Sequence, residues 1–294
     1  MPNLKEVRNR ITSVNSTKQI TSAMKMVSAA KLKKAQDAIT QMRPYAEKLS
    51  EILSNLSASI ESSDGVYAEQ REVNRVLLVA ITSNRGLCGA FNANINKSIK
   101  RSLENTYAGK EVSVLPIGKK ALDVFKKTPH LHSNDNLDKH YNDIWDNLLF
   151  NNVADVAQQI MDRYAEGEYD KVVLVYNQFK NAAVQEVQFE QFLPIVPPVQ
   201  DENSKSSEVD YLFEPDKVEI LDEIIPKSLK TQLFKALLDS NASEHGARMT
   251  AMHKATDNAG ELLKELKLSY NKARQAAITN EILEIVSGAE ALNG

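Results

Sequence analysis

The sequence predicts an α/β protein in which the N- and C-terminal segments form a long antiparallel coiled coil and the middle forms a separate domain. Apolar and small residues at both ends recur every three or four positions, which is the period of helices that wind around each other. Between them, short runs of β-branched residues alternate with helical segments, as in a mainly parallel sheet. Only 10 glycines and 9 prolines occur in 294 residues, which favours long helices.

The N-terminal stripe predicts one helix from about Leu4 to Ile60. Its spacing holds at the start, fails over a polar stretch and resumes at Leu32. Pro44 falls inside this helix and is expected to kink or loosen it, because proline removes a backbone hydrogen bond. The stripe is interrupted at Lys18, Thr21, Lys25 and Ser28.

The C-terminal stripe keeps the same spacing from Met249 to Ala277. Helical sequence resumes at about Pro215, and Pro226 suits the first turn of the last long helix, which we expect to reach Leu292. Because the two stripes lie at opposite ends of the chain, they can pair lengthwise. We expect this pairing to bring the segments near Met24 and Ala277 together.

The middle of the chain predicts a Rossmann-like α/β domain. Two short apolar runs are typical of strands buried on both faces, a third run is also typical of a strand, and a fourth alternates as an edge strand does. We therefore divide the chain into a coiled-coil helix at 1–60, a globular domain at 61–207 and a second coiled-coil helix at 208–294. The expected strands cover residues 75–82, 112–116, 171–176 and 184–192.

Charge is distributed unevenly, although its net value is only −3. Residues 1–60 carry ten basic and four acidic residues, whereas residues 61–226 carry 17 basic and 27 acidic ones. The basic side chains of this helix either face an acidic partner or only keep its outer surface in contact with water. Charge alone does not decide between these two alternatives. A nucleic-acid-binding scaffold is a third alternative, which the acidic overall balance disfavours.

The composition also indicates a compartment. The single cysteine, Cys88, cannot form an internal disulfide, which favours a reducing cytoplasm. No stretch approaches the roughly 18 to 20 uncharged apolar residues that span a bilayer. The N-terminus shows no secretory or transit pattern, so we expect a protein of bacterial type.

A glycine-bearing turn follows the first expected strand and could hold a phosphate on helix N–H groups. Gly86 and Gly89 give only G-x-x-G, which matches neither the dinucleotide fingerprint nor the P-loop. We interpret the turn as structural, with a nucleotide-dependent enzyme as the alternative, and Cys88 as a packed thiol. The five histidines lack a ligand spacing, so we predict no catalytic residue, no metal and no cofactor.

Four segments carry a resemblance to a known family. Arg10–Leu32 resembles the first-helix motif of the gamma subunits of F-type ATP synthases, and Ser83–Asn92 resembles their glycine turn. Glu244–Ala259 and Ile278–Ala289 are similar to their C-terminal signature. Between these last two, polar residues from Asn271 to Glu281 fall on more than one helix face, as expected if other proteins surround the helix.

The resemblance implies a non-catalytic rotor subunit, present once per complex, that transmits torque between a membrane c-ring and a catalytic hexamer. Its implied partners are the alpha and beta subunits, the epsilon subunit and the c-ring, with no nucleic acid. The implied location is peripheral, on the cytoplasmic face of the bacterial inner membrane.

The same resemblance implies which residues contact those partners. Arg274 and Gln275 match the pair that holds a beta-subunit loop, and Met24 and Lys25 match the site near an acidic beta-subunit segment. On the ring-facing side, the corresponding residues are Tyr211 and Phe213.

Overall fold

The computed structural model describes residues 4–57, 66–69, 71–132, 140–195 and 217–293. The chain divides into two compact units, a coil unit of Met1–Ala29 with Arg248–Gly294 and a globular unit of Ala30–Ala247. Helix α1 (Leu4–Ser57) and helix α5 (Lys217–Asn293) each contribute to both units. Within the described ranges, no helix is long and apolar enough to cross a membrane.

A four-stranded sheet in the order β2-β1-β3-β4 forms the centre of the globular unit. Strand β1 pairs in parallel with both β2 and β3, and β4 is antiparallel to β3. This confirms the predicted α/β class with a mainly parallel sheet. The strands are β1 (Arg75–Ile81), β2 (Glu111–Ile117), β3 (Lys171–Phe179) and β4 (Gln185–Leu193). The helices between them are α2 (Phe91–Glu104), α3 (Lys119–Phe125) and α4 (Phe150–Ala165).

Both faces of this sheet are buried, as the apolar runs predict. Leu77, Val79 and Ile81 of β1 join a cluster with α4 and the early part of α5, whereas Val76 and Leu78 point to a second cluster with α2 and α3. Successive strand residues face opposite sides, so an unbroken apolar run needs a helix layer on each side. The early part of α5 therefore supplies one wall of the core.

Two predicted boundaries were wrong. Pro226 lies inside α5, because the helix already begins at Lys217 and the preceding Ile225 packs against the core. The amphipathic sequence from Asp143 to Ala165 predicts one helix, but the structure has a short 3-10 turn over Asp143–Trp145 and then α4. In both places tertiary packing overrides the local signal.

The coil unit confirms that the two ends of the chain pair as antiparallel helices. Arg8 Nη2 donates to the hydroxyl of Tyr270 over 2.7 Å, and the Thr21 and Thr256 hydroxyl oxygens are 2.8 Å apart. Between these levels, a side chain at Gly260 would meet the end of Lys18.

This register corrects one expectation about the pair. Because Thr21 lies opposite Thr256, Ala277 lies roughly 30 Å or more from the level of Met24 at ~1.5 Å per residue. The two segments do not meet, since in an antiparallel pair the level of Met24 is reached by α5 before Thr256. The three-part division at 60/61 and 207/208 stays a prediction, because those boundaries lie outside the described residues.

The four residues that interrupt the N-terminal stripe continue the buried side of α1. Thr21 and Ser28 are 9% and 3% exposed, and Lys18 and Lys25 are half-buried. Thr21 Oγ1 donates to Lys18 O and Ser28 Oγ to Met24 O, so their protons stay within α1. Thr256 shares its one proton between Met252 O at 2.7 Å and Thr21 Oγ1. The helix pair thus keeps its register through polar positions.

We expect Thr21→Val and Thr256→Val each to lower the free energy of unfolding by about 0.5–1.5 kcal/mol, because each removes one partner of a hydrogen bond. The double variant should cost less than the sum of the two, since valine opposite valine leaves no buried hydroxyl. Urea unfolding followed by circular dichroism measures all three. Thr17→Val, at an exposed position on α1, is the control. Strict additivity would show that the two hydroxyls are not coupled.

Candidate partner-binding surface

Arg274 and Gln275 lie on the exposed side of α5 in the coil unit. Their neighbours Ala273, Ala276 and Ala277 are half-buried, so the two polar side chains are more exposed than the small residues around them. An exposed guanidinium beside an exposed amide presents several hydrogen-bond donors and one acceptor to a partner. The arrangement suits recognition of backbone or carboxylate oxygens.

Met24 and Lys25 lie on α1 and are both half-buried. They share the coil unit with Arg274 but belong to a different level, roughly 30 Å away at ~1.5 Å of helix rise per residue. The predicted contact residues therefore form two separate surfaces. Tyr211 and Phe213 lie outside the described residues.

The end of α5 carries an exposed apolar surface that was not predicted from the sequence. All residues from Ile278 to Ala289 are exposed, and the large apolar side chains among them are 47% to 71% exposed. A cluster of this kind marks a protein-binding surface. Its signal in the sequence is apolar spacing that continues past Ala277. The members are Ile278, Ile282, Leu283, Ile285 and Val286.

The glycine turn between β1 and α2 uses its polar groups internally. Ser83 N and Oγ both lie within 3.1 Å of Asn92 Oδ1, and Ser83 Oγ donates to Arg85 O over 2.7 Å. Cys88 is 2% exposed, and Asn92 Nδ2 lies 3.1 Å from its sulfur. The backbone of Leu87 and Gly89 is left-handed, with φ of 62° and 59°. These contacts describe a closed structural turn with a packed thiol.

A second backbone contact supports this turn from the side of β2. Any side chain at Gly118 would lie 1.9 Å from Thr82 O, and φ there is +119°. Thr82 Oγ1 accepts from Ala121 N, and Asn84 Oδ1 accepts from Lys119 N. The first residues of α3 are thus hydrogen-bonded to the turn after β1, which holds the backbone of that turn in place.

We expect the isolated chain to bind no ATP or ADP. The polar side chains of the turn are hydrogen-bonded within it, and its sequence lacks the residues that hold a phosphate in known motifs. Isothermal titration calorimetry of the purified chain with each nucleotide and Mg²⁺ measures this, with a P-loop ATPase as positive control. Saturable binding at micromolar nucleotide would contradict it.

The histidines form no metal centre in the part of the chain that the structure describes, where no group of three or more His, Cys, Asp or Glu is placed to hold an ion. His130 Nδ1 lies 3.1 Å from Val112 O. The Tyr169 hydroxyl lies 2.7 Å from Nδ1 of buried His132, and burial raises the pKa of Tyr169 to about 12. Both histidines thus hold residues 130–132 close to β2 and to Tyr169.

A cavity of about 400 Å³ in the globular unit is lined in part by Asp239, a buried carboxyl group whose pKa is raised. Asp239 is 8% exposed, and burial raises its pKa to about 6. Lys235, Arg43 and Lys180 oppose this shift, whereas Glu190 adds to it. The cavity is lined by Ile39, Met42, Arg43, Ala46, Gln178, Phe179, Lys235, Leu238 and Asp239.

We expect Asp239→Asn to stabilise the chain by roughly 2 kcal/mol at pH 7.5, because the folded state there carries a buried charge that the unfolded state hydrates. The raised pKa of Asp239 means that this penalty fades as pH falls through 6 and is absent below the unfolded pKa near 4. Urea unfolding of both variants from pH 4 to 8 measures the difference. A gain that is constant over this range would show that Asp239 does not titrate as described.

The sequence matches one known family over nearly its whole length. A family model described as ATP synthase matches residues 3–292. The ATP synthase gamma chain of Flavobacterium johnsoniae is 66% identical, and that of Christiangramia forsetii is 61% identical. The gamma chain of Geobacter metallireducens is 46% identical. Each of the three alignments covers 100% of this chain and 100% of the relative.

Solved structures agree with this fold. The central stalk and c-ring structure of Tetrahymena thermophila mitochondrial ATP synthase contains a chain that is 26% identical, with a TM-score of 0.57 over 80% of this chain and 99% of that one. A chain of the Euglena gracilis mitochondrial ATP synthase has a TM-score of 0.68 at 23% identity, covering 98% and 94% respectively, and supports the fold alone. On the full-length identity to its bacterial relatives, the chain belongs to the ATP synthase gamma chain family.

Proposed function

We propose that this chain is the central-stalk rotor subunit of an F-type ATP synthase, transmitting torque between the membrane c-ring and the catalytic alpha/beta hexamer. Membership of the gamma chain family supports this role. The coil of α1 and α5 supplies the element that a rotor needs, since two helices packed along their length resist bending better than one. Coupling of proton flow to ATP synthesis or hydrolysis follows from that role.

The main structural support for this proposal is the exposed apolar end of α5. Ile282, Ile285 and Val286 have no covering residues among the described part of the chain, with exposures of 55%, 71% and 49%. Exposed apolar surface is unfavourable in water and favours a partner that surrounds the helix. A collar of alpha and beta subunits is such a partner, because it contacts all sides of an inserted helix.

Polar contacts at two levels give the coil different faces toward that collar. Arg274 and Gln275 are proposed to hold a beta-subunit loop near the apolar end, and Met24 with Lys25 to lie beside an acidic beta-subunit segment. The exposed Lys31, Lys33 and Lys34 continue the basic surface of α1 beyond Lys25. An uneven surface contacts each surrounding subunit differently and so biases their conformational equilibria differently.

The remaining assignments follow from the same proposal. The chain itself has no active site, and ATP is made or hydrolysed on the beta subunits. The epsilon subunit and the c-ring contact the globular unit, with Tyr211 and Phe213 on the ring-facing side. One copy per complex sits peripherally at the cytoplasmic face of the bacterial inner membrane.

We expect Arg274→Ala combined with Gln275→Ala to lower ATP hydrolysis and proton-driven ATP synthesis of the assembled complex about tenfold, equivalent to ~1.4 kcal/mol. Two exposed polar contacts are lost while both positions keep a strong helix former. Turnover of purified complex and helicity of the isolated chain are measured together.

Lys267→Ala, which removes an exposed charge elsewhere on α5, is the matched control and should leave turnover unchanged. Unchanged turnover of the double variant in a fully assembled complex would reject the role of Arg274 and Gln275.

A further inference from the structure

In the globular unit, α5 lies over the edge of the sheet where α/β proteins usually bind ligands. Such ligands lie beyond the carboxyl ends of the strands, where neighbouring strands connect in opposite directions. Here that point lies between β1 and β3, because β2 follows on one side of β1 and β3 lies on the other. The buried Ala247 of α5 packs there against Cys88 and Phe91.

Two hydrogen bonds that share Asn177 connect α5 to the same edge of the sheet. The buried Ser243 Oγ donates to Asn177 O at the end of β3 over 3.0 Å. Asn177 Nδ2 in turn donates to Phe91 O at the start of α2 over 3.2 Å. Three elements are thus joined within one buried contact, where hydrogen bonds are costly to break.

Gly246 allows this close approach. A Cβ at position 246 would lie 3.2 Å from Ala182 Cα and 3.3 Å from a ring carbon of Phe179, and neither atom belongs to a flexible side-chain end. The buried residues Ser243, Gly246 and Ala247 lie on one face of α5, because Gly246 and Ala247 follow Ser243 by three and four positions. A larger residue at 246 would lift that face from the β3–β4 turn.

We propose that Gly246 is a positioning residue that seats this part of α5 on the sheet, so that rotation of the sheet is passed to the helix without slip. The seat consists of Asn177, Phe179 and Ala182 on the sheet side and Ser243, Gly246 and Ala247 on α5. Because contacts on both sides of Gly246 oppose rotation of the helix about its own axis, torque passes through the seat as well as through the backbone. This inference rests on the proposed rotor function.

The test replaces Gly246 by alanine and by valine in the complete ATP synthase and measures ATP hydrolysis and ATP-driven proton pumping on the same membranes. Overpacking by valine should shift the seated–unseated equilibrium about tenfold, ~1.4 kcal/mol. The ratio of pumping to hydrolysis should therefore fall for valine and fall less for alanine. Hydrolysis should persist, because the coil unit is unchanged.

Gly260→Ala and Gly260→Val are the matched controls on the same helix. A Cβ there meets only the flexible end of Lys18, at 3.5 Å from Nζ, so both controls should keep the wild-type ratio. A wild-type ratio in Gly246→Val would overturn the seat. A chain that never assembles with the hexamer, even without substitutions, would instead overturn the proposed function.

A cross-link separates slip from misfolding. In a Cys88→Ala background, Gly246→Cys with Ala182→Cys places two thiols across the seat. Because Cys88 packs against Ala247, the Cys88→Ala complex alone supplies the reference ratio. The reduced complex should show a ratio below this reference, and oxidation to the disulfide should restore it, because a covalent bond then holds the seat closed. A ratio that stays low in the cross-linked complex, or that is already normal in the reduced one, would overturn the proposal.

Discussion

The register between α1 and α5 is the constraint on which the coil unit depends. Thr21 and Thr256 meet inside the pair, and Arg8 meets Tyr270 about 20 Å further along at ~1.5 Å per residue. Hydroxyls that are bonded both within and between helices cost little, whereas a shifted register would bury them against apolar side chains. The outward orientation of Arg274, which is proposed to contact a partner, depends on this register.

The globular unit shows how a ligand-binding architecture can serve a mechanical role. Its parallel strands have the topology that places a crevice between β1 and β3, yet the glycine turn after β1 bonds to itself through Ser83 and Asn92. The crevice receives Ala247 of α5. Fold alone therefore says little about function here, and the contacts at the crevice decide that the sheet holds a helix.

Two features are unfavourable for the chain on its own. The apolar end of α5 around Ile285 exposes surface that water disfavours, and Asp239 carries a charge in a buried position. The proposed collar of subunits would cover the first feature, and covering that surface would stabilise the assembly.

The sequence by itself determined the element types: apolar periodicity predicted both long helices, the buried strands and the edge strand, because period depends on local geometry. Its motifs also identified the family. Tertiary structure decided the rest. A three–four stripe permits several registers, and only facing side chains such as Thr21 and Thr256 select one. Packing of Ile225 on the core likewise placed Pro226 within α5, where local propensity predicts a start, because buried area outweighs local propensity.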